Sequence, residues 1–226
     1  MSTCCSLVYR VAMTPKVEAA IEQVYLAFAD VKHPSELVSC PCCNNRELKS
    51  DLVTGDLQSV DIKALSIYSA KAMTTIGSKE DYLYFLPAIL AAEVTKSGFG
   101  IGFEVTGGKI GAADPASWDS HRREAVENYF AAVLEAVASG HLRRLLDISG
   151  VLCAIGRSGF KLGPYLEMLD QWPDAIGEFH EENAGSLAAK QRLQNAFWER
   201  PSQDVVIEWL ETPEIEAVLE DFYRRR

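Results

Sequence analysis

No apolar run in this chain approaches the ~20 residues that a bilayer-spanning helix needs, so no membrane span is expected. Met1 to Arg10 has no basic stretch followed by an apolar segment and a small-residue cleavage site, so no secretory leader is expected and the chain reads as cytoplasmic. Histidine is scarce, with 4 residues scattered singly, and no His-Glu-x-x-His pair is present. A Gly-x-Ser-x-Gly elbow, a phosphate-cradling loop and a dinucleotide fingerprint are also missing, which removes the common hydrolase and nucleotide-binding classes. Period-two alternation occurs once, at Phe99, Ile101, Phe103 and Val105. A lone strand has nothing to pair with, and the glycines around it weaken it further, so this stretch reads as a loop or a short helix from Glu104.

Everywhere else the periodicity is helical. Thr14-Pro15 reads as an N-cap followed by proline at the first helical position, ahead of the apolar face Val17, Ala20, Ile21, Val24, Ala27 and Phe28. A short helix is expected around Arg46 to Val53, and another from a Ser59 cap to Gly77. Ser78 to Asp81 has capping-box spacing, and Pro87 is expected to kink or split the helix that follows. A long apolar face from Val126 to Val137 is closed by Gly140. Further helices are expected near His141 to Asp147, at Pro164, at Pro173, around Ser186, over Ser202 to Leu210 and over Pro213 to Tyr223. The expectation is an all-α fold of about nine or ten helices, an irregular bundle or a stack of helical hairpins. It fills one domain over residues 1–226, with residues 1–13 fraying.

The block Tyr68 to Pro87 runs Tyr-Ser-Ala-Lys-Ala-Met-Thr-Thr-Ile-Gly-Ser-Lys-Glu-Asp-Tyr-Leu-Tyr-Phe-Leu-Pro. It resembles the signature of a family of uncharacterised bacterial proteins that carry a cysteine pair upstream, then Thr-Thr, a glycine, an aspartate and Phe-Leu-Pro. Leu152-Cys153-Ala154, Pro164-Tyr165-Leu166, Asn195-Ala196-Phe197-Trp198 and Glu208-Trp209-Leu210 echo it downstream. Ile76, Ala88 and Ala91 stand where the family pattern has tryptophan, arginine and glutamate. The resemblance implies an all-helical cytoplasmic protein and no particular activity.

Six cysteines in a chain read as cytoplasmic are thiols or metal ligands before they are disulfides. Cys40-Pro41-Cys42-Cys43 places three of them in four positions, with His33 upstream. The gap between Cys40 and Cys43 lets two thiolates meet one tetrahedral zinc ion, with His33 or Cys42 as a third ligand. The same residues have the Cys-Pro-x-Cys form of thiol redox sites, and thiols that merely pin a loop are the third reading. Cys153, in an apolar run, reads as a buried inert thiol.

Net charge is −10, and Leu166 to Arg226 alone holds 14 acidic against 6 basic residues, a balance of −8. That sign argues against nucleic acid and anionic membranes as partners and permits a basic protein. Glu167, Asp170, Asp174, Glu178, Glu181 and Glu182 come at helical spacings with no cation between them. They read as a solvated helix face or as a docking face for a basic protein. His180 beside Glu181 and Glu182 is expected at the surface with a raised pKa. Trp172, Trp198 and Trp209 fall at helical positions and read as core. Two functions follow as expectations. One is a non-enzymatic protein-binding module, immunity- or antitoxin-like in one version, acting through the acidic face. The other is a zinc- or thiol-dependent protein built on Cys40 to Cys43.

Overall fold

The computed structural model describes residues 13–41, 46–54, 57, 59–100, 102–190 and 192–226. Among the described residues the protein is all-α, with eleven α-helices and one 3-10 turn at Pro115–Ser117. The helices are α1 (Pro15–Ala27), α2 (Arg46–Val53), α3 (Ile62–Lys71), α4 (Lys79–Glu93), α5 (Phe103–Ala112) and α6 (Ser120–Ala138). They continue with α7 (Ile148–Arg157), α8 (Gly163–Leu169), α9 (Pro173–Lys190), α10 (Arg200–Leu210) and α11 (Pro213–Arg224). No helix among the described residues is long and apolar enough to cross a membrane.

Local side-chain chemistry sets most of the boundaries. Thr14 Oγ1 accepts from the Val17 amide at 3.3 Å, the cap its position before Pro15 implied. At the start of α4 the Asp81 amide donates to Ser78 Oγ at 3.2 Å and the Ser78 amide donates to Asp81 Oδ2 at 2.7 Å, a complete capping box. The third helix begins two residues later than its expected Ser59 cap, because Asp61 Oδ1 takes the amides of Lys63 and Ala64. It also ends early, at Lys71, where Met73 turns left-handed at φ 59°. Lys109 Nζ, reaching across from α5, donates to the Ala72 carbonyl at 2.5 Å and supplies a cation to that terminus.

The short helix offered as one reading of the Phe99 to Val105 stretch is present as α5, which starts at Phe103, one residue before Glu104, with Gly102 ahead of it at φ 128°. The helices expected at Pro173 and around Ser186 are one helix, α9. Helix α4 is not split either; Pro87 lies inside it and is buried, at the cost of the bond its missing N–H would give to Leu83.

Packing is centred on α6, which meets α1, α7 and α8. Helix α7 is buried from Ile148 to Ile155 on every side, as a helix with neighbours all around must be, and α5, α6, α9 and α10 surround it. Contact with α5 is backbone to backbone. A Cβ on Gly107 or Gly111 would come well under 3.0 Å from the backbone of Ala154 or Arg157. Ser158 Oγ closes the junction, bonding the carbonyls of Ala154 at 2.7 Å and Gly107 at 3.2 Å. Helix α11 lies on α9 in the same manner, with the Phe222 ring seated where Gly177 has no side chain. Residues 1–12 of the segment expected to fray lie outside the described residues, while Met13 packs half-buried against the core.

Candidate functional site

The cysteine segment runs extended against the turn that follows α3. The Cys40 amide donates to the Thr75 carbonyl at 2.9 Å, and the Gly77 amide donates to the Val38 carbonyl at 2.7 Å. Cys40 is half-buried there. His33 stacks edge-on against the Tyr84 ring, with centroids 5.0 Å apart. Cys42 and Cys43 lie outside the described residues. Among the described residues no three of His, Cys, Asp and Glu approach closely enough to hold a metal ion. Cys153 is buried, and burial, then Glu104, pushes its thiol up to about 12, so it is a protonated packing group at neutral pH.

The acidic stripe is divided by the fold. Glu167 and Asp170 belong to α8 and its C-terminal cap, and the other four to α9. Three of those four have internal counterions. Asp174 accepts from Arg225 at 2.7 Å, Glu178 pairs with Arg143 at 2.5 Å, and Glu181 pairs with Arg226. Arg225 and Arg226 lie at the C-terminal end of α11, which Phe222 lays along α9. Glu182 has no ion pair among the described residues, and burial together with the like charge of Asp147 raises its pKa.

Glu167 and Asp170 behave differently. They are exposed, Glu214 from the first turn of α11 comes beside them, and no Lys or Arg forms an ion pair with any of the three among the described residues. Partial burial raises the Asp170 pKa, and Glu167 and Glu214 raise it further. Asp170, at the C-terminal cap of α8, thus carries two like charges in its surroundings, Glu167 one turn before it and Glu214 at the start of α11.

His180 corrects its expectation. It is half-buried, its Nδ1 lies 2.9 Å from the Tyr223 hydroxyl, and burial lowers its pKa. Desolvation outweighs the neighbouring glutamates, of which Glu181 is already paired with Arg226.

Sequence reasoning missed Glu93. It lies in the apolar end of α4 and is 5% exposed, with Thr106 Oγ1 donating to its Oε1 at 2.5 Å. Burial, and then Glu104, raises this carboxyl to about 7 against the pull of the Thr106 hydrogen bond. The signal was available: Glu93 sits three and four residues after Leu90 and Ile89, on the buried face of their helix.

Comparison with known proteins finds no matching family model, no matching curated protein and no matching solved structure.

Proposed function

We propose that this chain is a non-enzymatic protein-binding module whose partner is a basic protein, docked at the junction of α8 and α11. The observation that carries the reading is the like charge of Glu167 and Glu214 acting on Asp170, with no Lys or Arg in an ion pair with any of the three among the described residues. Like charges held together raise the energy of the free protein, and a cationic partner relieves that energy on binding while gaining a steered association rate. The part of the stripe on α9 contributes less, because Arg143, Arg225 and Arg226 already pair with three of its four carboxylates. A basic nuclease held by an immunity protein is one pairing of this kind. The same charge balance supports a cytoplasmic protein that does not bind nucleic acid.

The test is a triple reversal, Glu167→Lys with Asp170→Lys and Glu214→Lys, used to capture partners from a lysate of its own cells. Wild type should retain a basic protein at about 0.05 M salt and release it by about 0.5 M. The variant, checked for full helicity by circular dichroism, should retain none of it. Reversal of Asp174, Glu178 and Glu181 should weaken capture less. Equal retention by the wild type and the triple variant rules out this face.

A further inference from the structure

A well-formed cavity of about 560 Å³ lies between α6, α8, residues 159–161 and the 3-10 turn. That is within the ~300–1,000 Å³ of typical small-molecule sites. Phe160, Tyr165, Met168 and Ala131 give it an apolar floor. Tyr165 is fixed in place because its hydroxyl donates to the Glu127 carbonyl at 3.2 Å.

The cations that line this cavity differ from the arginines that the fold pairs internally. Arg122 is committed to Asp30 and the Ala27 carbonyl, Arg143 to Glu178, and Arg157 to Glu199 and the Glu104 carbonyl. The side chains of Arg123 and Lys161, both exposed and both lining the cavity, form no ion pair or hydrogen bond among the described residues. In a chain of net charge −10, two uncommitted cations over an apolar floor are a concentrated positive feature. Glu127 is the one carboxylate of the lining, one turn from Arg123, and it leaves the site with a net charge of +1.

We infer that this cavity binds a small apolar molecule carrying one negative charge, a carboxylate held by Arg123 and Lys161 with its apolar body on Phe160, Tyr165 and Met168. An uncharged ligand leaves the two cations unused. A dianion such as a phosphate monoester turns the site's net charge from +1 to −1 and meets Glu127.

Calorimetric titration with octanoate, 1-octanol and octyl phosphate separates these cases, because the three share one apolar tail. Wild type should bind octanoate about tenfold more tightly than either of the others, a difference of about 1.4 kcal/mol. Arg123→Gln with Lys161→Gln should remove that preference while leaving the 1-octanol affinity unchanged. Ala116→Trp, at an exposed position of the lining, should weaken all three by tenfold or more. All these substitutions replace exposed side chains, so thermal unfolding should match wild type. Failure of octanoate to saturate, equal affinities of octanoate and 1-octanol for wild type, a preference that survives the double variant, or tighter binding of octyl phosphate each overturns the inference.

Discussion

Glu93 shows what one misplaced charge does to a core. In the unfolded chain its carboxyl titrates near 4.5, and in the fold burial, then Glu104, lifts it to about 7. Thr106 donates to it, while the buried hydroxyl-bearing rings of Tyr82 and Tyr129 feel its charge. The native state therefore holds a proton that the unfolded state has released. The contribution of this group is fully favourable below about pH 4.5, declines as pH rises through 7, and is constant above that. The whole decline amounts to about 3 kcal/mol at most. Glu93→Gln keeps an acceptor for Thr106 and removes the ionisation. It should be more stable than wild type at pH 8 by about 1–3 kcal/mol and lose the slope between pH 5 and 7. Urea midpoints at several pH values measure both quantities, and an unchanged slope would assign the pH dependence to other groups.

At the scale of elements, the contact of α5 with α7 gives the sharpest expectation. Gly107→Ala places a methyl group into the Ala154 backbone and should cost about 1–3 kcal/mol as the two helices part. Gly185→Ala, in α9 with nothing within 4 Å of the new Cβ, should instead stabilise by about 0.5–1 kcal/mol. Denaturant midpoints of the two variants should move in opposite directions. The same contrast explains what was legible in the sequence. Thr14-Pro15 and Ser78 to Asp81 are short-range codes in which a side chain bonds a backbone amide three residues on, so their helices could be read directly. Helix α5 could be read only as an alternative to a loop, because Gly107, Gly108 and Gly111 depress helix propensity locally and are repaid by α7, more than forty residues away. The acidic residues were legible as residues, but their division was not. Arg225 and Arg226 lie some 45–51 residues from the carboxylates they neutralise, and only the seat of Phe222 on Gly177 brings them there.

Over the whole molecule, ten surplus negative charges act against compaction. Exposed ion pairs such as Arg225 with Asp174 offset little of this. Raising salt from about 0.02 M to about 0.2 M should therefore raise the melting temperature by about 2–4 °C, equivalent to about 1 kcal/mol in a chain of this size. Neutralising Glu167, Asp170 and Glu214 together as Gln, Asn and Gln should remove a measurable share of that rise. A melting temperature indifferent to salt would mean that the surplus charge is too dispersed to matter. The place of α6 bears on how such a molecule comes apart. One helix serves as a wall for α1 on one side and for α7 and α8 on others, and ten of its side chains are buried. Neither half of the bundle can leave without stripping the surface on which the other half rests. Unfolding of the described helices is therefore expected as one cooperative transition, with the same midpoint by circular dichroism and by tryptophan fluorescence.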